Sequence, residues 1–309
     1  MRKKIFMLGL SLCLFAAACN GKNAAEENTQ NQGGEESTEP KNANSNGDIE
    51  RDESGGGKES SGKESSGNKG GDDSPSPVGE LSKVPEVTYT DYSREIQEED
   101  SDVTLLSVTE NCPVITIEEN EEAARKMNLV FEQQHETNQE DIKNKIEEAK
   151  SDYHGLSKEE AKAWQPYGYG ISYKVVSAST RILSIEAESY DWQGGSHPNT
   201  WTSAYCFDAA SGDLLYLADI FTDEEKARKV VEEHILDTIT KKPYKDALLD
   251  DYEDYVADIL TENTFYLNEK GLVVICNPYM VATHAAATIE IEVPYAKLKD
   301  MMNENYILK

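Results

Sequence analysis

The chain has 309 residues with 30 basic and 59 acidic side chains, which gives a formal net charge of −29. Most of this charge lies after position 85, where 45 acidic residues stand against 20 basic ones. Such a surface repels nucleic acid and anionic lipid head groups and attracts cationic partners at long range. The composition therefore excludes a nucleic-acid function. It does not identify the partner, because acidity also serves solubility.

The first nineteen residues have the pattern of a secretory leader. Residues 1–4 are basic, residues 5–15 carry no charge, and three alanines precede Cys19. The apolar run is shorter than the ~20 residues that span a bilayer core. Cys19 resembles the acylated cysteine of bacterial lipoproteins, although Ala16 stands where leucine is usual. We expect residues 1–18 to be a cleaved signal peptide and Cys19 to anchor the chain by lipid to the extracytoplasmic face of the cell membrane. An ordinary signal peptide with an incidental cysteine is the alternative.

The segment that follows predicts a disordered tether. Residues 20–85 consist almost entirely of Asn, Gly, Ser, Glu, Asp and Lys and contain no aromatic side chain. This composition buries too little apolar surface to offset the entropy lost on ordering. A Gly/Ser-rich coil of this length has an end-to-end distance of roughly 40–50 Å. We therefore assign residues 19–85 to the lipidated cysteine and a flexible tether.

The remaining residues alternate between strand and helix patterns. In chain order, the patterns predict strands at 103–108 and 113–117, a helix from 119 through 146, a short helix from 157, strands at 169–177, 181–192, 201–208 and 214–221, helices at 222–240 and 245–260, strands at 264–267, 272–276 and 287–293, and a helix at 295–303. These clusters of strands separated by helices favour an α+β fold with a largely antiparallel sheet and packed helices. We divide the folded unit into a strand–strand–helix segment, 86–165, and a C-terminal domain, 166–309.

The cysteines and histidines do not predict a metal centre or a cofactor. Cys13 would leave with the signal peptide, and the remaining Cys112, Cys206 and Cys276 lie in apolar strand-like runs. Buried free thiols, or one disulfide with one free thiol, are both consistent with that placement. The five histidines include no pair four residues apart on a helix, so the H-x-x-x-H element of metal hydrolases is missing. We therefore expect no metal, no cofactor and no catalytic residues.

Two stretches contain candidate binding residues. The first is the turn around His197 and Asn199, where the imidazole either contacts a ligand or donates to backbone within the turn. Nearby Trp192 and Trp201, with Tyr190 and Trp164, would form a stacking platform for a polysaccharide, or would be strand residues packed under a helix.

The second stretch is acidic and interleaves tyrosines with carboxylates. It consists of Asp250, Asp251, Tyr252, Glu253, Asp254 and Tyr255. Aromatic rings supply contact area and carboxylates supply electrostatic steering, so the combination suits docking onto a basic protein. A solvated helix face is the simpler interpretation of the same residues.

Several motifs of the C-terminal half resemble a known family. They are Gly194-Gly195-Ser196-His197-Pro198-Asn199, Leu217-Ala218-Asp219-Ile220-Phe221, Asn277-Pro278-Tyr279 and Val293-Pro294-Tyr295. In this order, over residues 169–306, they resemble the extracytoplasmic C-terminal domain of unknown function shared by the RsiV anti-sigma factors, which sense lysozyme, and the PdaC peptidoglycan deacetylases. His284 departs from the pattern, which has an aromatic residue at that place.

The resemblance implies a binding function without catalysis. Its implied ligand is lysozyme or another cationic protein at the cell envelope. The residues leave two alternatives open, a module that binds cell-wall glycan or peptidoglycan, and a cryptic hydrolase. The hydrolase is disfavoured because Ser196 and His197 are adjacent in a strand-like turn and point apart, so the histidine cannot serve as a base for that serine.

Overall fold

The computed structural model describes residues 79–308, which belong to one unit of the chain. Their fold is α+β with mostly antiparallel strands, as predicted. The expected signal peptide, Cys19 and the tether up to residue 78 lie outside the described residues. Within residues 79–308 the strands are β1 Glu86–Asp91, β2 Arg94–Gln97, β3 Thr104–Thr116, β4 Tyr167–Ala178, β5 Ile182–Trp192, β6 Asn199–Asp208, β7 Phe265–Leu267, β8 Gly271–Cys276 and β9 Ile289–Pro294. The α-helices are α1 Glu121–Gly155, α2 Leu217–Ile220, α3 Glu224–Ile239, α4 Tyr252–Tyr255 and α5 Tyr295–Leu298.

The larger sheet has six strands in the order β1-β3-β4-β5-β6, with β2 also paired to β3. The pairing of β3 with β4 is parallel and α1 makes the crossover, while the other pairs are antiparallel. The two strands predicted at 103–108 and 113–117 are one strand, β3. Pro113 lies inside β3, but the pairing of β3 with β4 ends two residues earlier, at Asn111. The missing N–H of Pro113 therefore interrupts no hydrogen bond to β4.

Helix α1 covers one face of this sheet. Asn120 caps it by accepting a hydrogen bond from the Ala123 backbone N–H. The apolar positions at three-to-four spacing, among them Met127, Phe131 and Ile142, are buried against the sheet. The Phe131 ring packs edge-on against aromatic rings of β4 and β6, which fixes the helix across both strands.

The opposite face of the larger sheet is covered by the second sheet, β7-β8-β9. Leu183 and Ile185 face α1, and the alternate residues Ser184 and Glu186 are buried as well. The Ser184 hydroxyl donates to the Leu267 carbonyl of β7 at 2.8 Å. Both faces of β5 are therefore enclosed, and its polar residues lie between the two sheets.

Helix α3 packs on the outer face of the second sheet. Asp223 caps it, and its predicted apolar residues Ala227, Val231, Ile235 and Ile239 are buried with side chains of β7, β8 and β9. The described region thus has four layers, namely α1, the larger sheet, the smaller sheet and α3. No helix within residues 79–308 is both long and apolar enough to cross a membrane.

Three predicted elements are wrong in detail. The strand predicted at 214–221 is an isolated bridge at Leu214 followed by α2, because Asp219 accepts from the Tyr216 backbone N–H and closes a helical turn. The helix predicted at 245–260 is a series of short turns, because Leu248 and Leu249 pair with backbone near Val281 and leave the helical conformation.

The helix predicted at 295–303 ends at Leu298. Beyond it, the Met301 carbonyl accepts from the Thr222 backbone N–H, and the Asn303 N–H donates to the Ile220 carbonyl. These bonds tie the chain to the segment around α2, so the helix does not continue.

Candidate functional site

The loop of residues 277–287, between β8 and β9, connects the two stretches that the sequence singles out. Its first residue, Asn277, is buried, and its side-chain amide bonds to both backbone groups of one residue of β6. Asn277 Oδ1 accepts from the Thr202 N–H at 2.7 Å, and Asn277 Nδ2 donates to the Thr202 carbonyl at 2.8 Å. The amide thus pairs with the edge of β6 as a neighbouring strand would, and it attaches the loop to that edge.

His197 contacts the same loop through His284. The two imidazole rings stack with centroids 4.0 Å apart and planes 22° apart, and the Tyr279 ring lies 5.8 Å from His284. His197 Nδ1 also lies 3.3 Å from the Pro198 carbonyl. Tyr279 is 56% exposed and has a positive φ of 67°, so its ring is presented to solvent beside the histidines.

The acidic run begins where the chain pairs with the other side of this loop. The Thr283 N–H donates to the Ala247 carbonyl at 2.8 Å, and the Leu249 N–H donates to the Val281 carbonyl at 3.0 Å. The exposed residues of the run follow at once, and they are Asp250, Asp251, Glu253, Asp254 and Tyr255, the last 47% exposed. Tyr252 is half-buried, and Glu253 accepts a hydrogen bond from its hydroxyl and raises its pKa. The His197 turn and the segment that leads into the acidic run therefore contact one loop, although they are far apart in sequence.

The tryptophans do not form a common platform. Trp201 pairs with Ser189 on β5, and Trp192 lies three residues further along β5. Directly paired residues share a face and side chains alternate along a strand, so the two tryptophans lie on opposite faces of the sheet. Trp164 lies elsewhere, against Tyr153 and under α1. Asn199 is exposed at the start of β6.

The described cysteines are buried free thiols. Burial raises the pKa of Cys112 and Cys206 to about 11 and that of Cys276 to about 12. A thiol with so high a pKa is protonated at neutral pH and is a poor nucleophile. Among residues 79–308, no three His, Cys, Asp or Glu side chains are grouped so that they would hold a metal ion.

The sequence does not identify the residues that attach the loop to its neighbours, and it does not identify the buried acids. Asn277 stands out only as part of a motif and His284 only as a departure from it. Glu110 is buried on β3, where it accepts from Asn138 and Gln139 and bonds to His135 Nδ1 at 2.9 Å. Nothing in the local sequence marks these partners, because each lies more than twenty residues from Glu110.

Known protein families match most of this unit. The family model described as deacetylase PdaC matches residues 97–200, and the model described as protein of unknown function DUF3298 matches residues 218–296. None of the curated proteins matches the chain.

Two solved structures of DUF3298 family proteins are similar to this chain. One, from Bacteroides fragilis, is 19% identical with a TM-score of 0.57, and the alignment covers 72% of this chain and 94% of that one. The other, from Pseudomonas aeruginosa, is 17% identical with a TM-score of 0.44, covering 73% and 96%.

Proposed function

We propose that this chain, which carries a C-terminal DUF3298/PdaC-like domain, is a lipid-anchored binding protein of the cell envelope whose ligand is a cationic protein such as lysozyme. One observation carries the proposal. The 277–287 loop contacts both the His197 turn and the segment that leads into the acidic run, so exposed rings and carboxylates lie around a single loop.

Charge and ring exposure at this surface match a basic partner. The acidic run presents four exposed carboxylates, and none of them forms an ion pair with a described side chain. Unpaired carboxylates leave their charge to act on an approaching cation, which raises the association rate at low ionic strength. Tyr255 and Tyr279 then supply contact area after the encounter, because tyrosine buries a large ring at low entropic cost.

We also propose that the domain acts without catalysis. His197 is stacked on His284 and borders a backbone carbonyl, and among the described residues no carboxylate or nucleophile is hydrogen-bonded to it. The three thiols of the described region are buried and protonated at neutral pH. A hydrolase that used a serine or cysteine nucleophile would need a base within hydrogen-bond reach of it.

Binding of cell-wall glycan or peptidoglycan is the alternative, and one observation favours it. Trp201 is 39% exposed on β6, and an exposed indole face is suited to stacking against a sugar ring. The alternative predicts weak salt dependence, because stacking on a neutral sugar is not screened, whereas docking of a basic protein weakens steeply with salt.

The test compares lysozyme binding by the whole protein and by two charge variants in surface plasmon resonance. In the first variant the run is neutralised by Asp250→Asn, Asp251→Asn, Glu253→Gln and Asp254→Asn. The matched control removes the same charge from exposed acids elsewhere, by Glu99→Gln, Glu132→Gln, Glu136→Gln and Glu140→Gln. We expect the first variant to associate on the order of tenfold more slowly at low salt, and the control to associate at nearly the rate of the original protein.

Equal slowing in both variants would mean that only net charge matters and that the acidic run is not the docking surface. Absence of lysozyme binding at low salt, together with retention on insoluble peptidoglycan, would favour the glycan alternative. A Trp201→Ala variant would then be expected to lose that retention.

A further inference from the structure

The tip of the β5–β6 hairpin, residues 194–197, is exposed and has little packing of its own. Gly194 and Gly195 have positive φ, and a Cβ at either position would meet open space. Trp192 Nε1 donates to the Gly195 carbonyl at 3.4 Å, but this bond lies within the hairpin. Two unpacked glycines leave the backbone free to move, so the position of the tip depends on the side-chain contacts that it makes.

The tip contacts the 277–287 loop through one pair of stacked rings. The imidazole of His197 lies on that of His284, with centroids 4.0 Å apart and planes 22° apart. His284 belongs to a well-attached part of the loop, because the N–H of the preceding residue, Thr283, donates to the Ala247 carbonyl at 2.8 Å. The loop is therefore fixed and the tip is not, so a change in the stack should move the tip.

We infer that the His197–His284 stack is a proton-sensitive contact, which holds the hairpin tip against the loop at neutral pH and releases it in acid, when both rings are protonated. Because the tip borders the surface around the loop, its release should also weaken partner binding. Only this second part rests on the proposed function.

Neither ring of the pair has a carboxylate to neutralise its charge. Among the residues that the structure describes, neither imidazole of the pair forms an ion pair, whereas two other histidines do. His135 Nδ1 lies 2.9 Å from Glu110 Oε1, and His154 Nε2 lies 3.0 Å from Glu98 Oε1. Protonation of the stacked rings therefore places two positive charges face to face, without a counter-charge in contact.

The elements packed against the pair contribute few other charged or titratable groups. The loop contributes Tyr279, whose ring lies beside the pair, and the strand end that borders the tip contributes Asp191, which is bonded to a lysine of α1. The turn of residues 244–247, which pairs with the loop, contributes one charge of each sign, Lys245 and Asp246. The two histidines are therefore the groups of this contact that change charge near neutral pH.

The direction of the effect follows from the number of protons bound. A histidine side chain gains its proton in the range of about pH 5 to 8. A stack with one charged ring is still attractive, because a cation is drawn to the face of an aromatic ring. Two unit charges at this spacing in water repel enough to shift an equilibrium by roughly fivefold. The contact is thus complete above the titration range and weakens as the pH falls through it.

The first test follows the ring contact by nuclear magnetic resonance in the whole protein with carbon-13-labelled histidines. The nuclear Overhauser effect between the ring protons of His197 and His284 is expected at about pH 8 and should fall at about pH 5. The variant His284→Phe keeps a ring but cannot take a proton, so its contact with His197 should persist at the lower pH. The matched control His154→Phe removes an exposed histidine elsewhere and should leave the pH dependence of the stack unchanged.

The second test measures lysozyme binding by the original chain and by His284→Phe in surface plasmon resonance. The ratio of the two Kd values at each pH cancels the titration of lysozyme and of the acidic run, which both chains share. Between about pH 8 and about pH 5, we expect the Kd of the original chain to rise by roughly fivefold relative to that of the variant.

An Overhauser effect that persists in the original chain at the lower pH would overturn the inference. So would its loss in His284→Phe as well, because the second charge would then not be the cause, or a ratio of Kd values that does not change with pH. If neither chain binds lysozyme at either pH, the proposed function fails and the ring contact alone decides the inference. If His284→Phe does not fold, His197→Phe removes the other charge and takes its place.

Discussion

Replacing Asn277 by alanine tests how the 277–287 loop is attached to the larger sheet. The substitution removes two hydrogen bonds of 2.7 and 2.8 Å and leaves the N–H and C=O of Thr202 unpaired in a buried place. Each unpaired buried group costs ~1–3 kcal/mol, so we expect Asn277→Ala to lower the free energy of unfolding by about 2–6 kcal/mol. Urea unfolding at neutral pH measures this loss.

A second asparagine provides the matched comparison. Asn128 on α1 makes the same pair of bonds to Ile115, at 2.7 Å to its N–H and 2.9 Å to its carbonyl. Asn128→Ala should therefore destabilise the fold in a similar way, and at a place remote in sequence from the loop. Under conditions where both variants remain folded, we expect Asn277→Ala alone to weaken lysozyme binding, since it alone frees the loop.

The isosteric variant Asn277→Asp distinguishes the contributions of the two hydrogen bonds. Its carboxylate still accepts from the Thr202 N–H but repels the Thr202 carbonyl, so the variant should be least stable at neutral pH. Protonation restores a donor, and the pKa of this carboxyl should be raised in the folded state. Its stability should accordingly recover as the pH falls. A loss of less than about 0.5 kcal/mol in Asn277→Ala would refute the reasoning, because the backbone of Thr202 would then be satisfied in another way.

Three further predictions concern other parts of the chain. In thermal denaturation, Gly212→Ala should lower the melting temperature far more than Gly194→Ala. Both glycines have positive φ, but a Cβ at Gly212 would clash with the Ala123 carbonyl, whereas a Cβ at Gly194 would meet open space. Cys19→Ala should abolish both the labelling of the protein by a fatty-acid analogue and its partitioning into detergent. Unchanged partitioning would exclude the lipid anchor. Limited proteolysis should leave a fragment that begins before Leu81, because the Leu81 side chain is buried and its backbone N–H donates to the Thr180 carbonyl. A protected fragment that began near residue 87 would show that this contact does not hold the chain.

Local sequence determined much of the fold because its signals act over a few residues. Three-to-four spacing from Ala123 to Ile142 specified the buried face of α1, since side chains four apart lie on one side of a helix. The glycines at 194 and 195 specified the turn between β5 and β6, and both have positive φ. The excess of acidic residues specified the sign of the charge that the surface attracts, because long-range attraction depends on net charge and not on the details of packing.

Tertiary structure decided the features that depend on what covers an element. The alternation along β5 marked Ser184 and Glu186 as polar, but both are buried because the second sheet packs on that face, where Ser184 donates to the Leu267 carbonyl. Likewise, the 245–260 segment has a helical pattern, and pairing of Leu248 and Leu249 with the 277–287 loop overrides it. The contact of His197 with His284 joins residues 87 positions apart. Periodicity fixes which side chains share a face, whereas long-range packing fixes what that face meets, so the fold class could be derived from the sequence and the assembly of the candidate site could not.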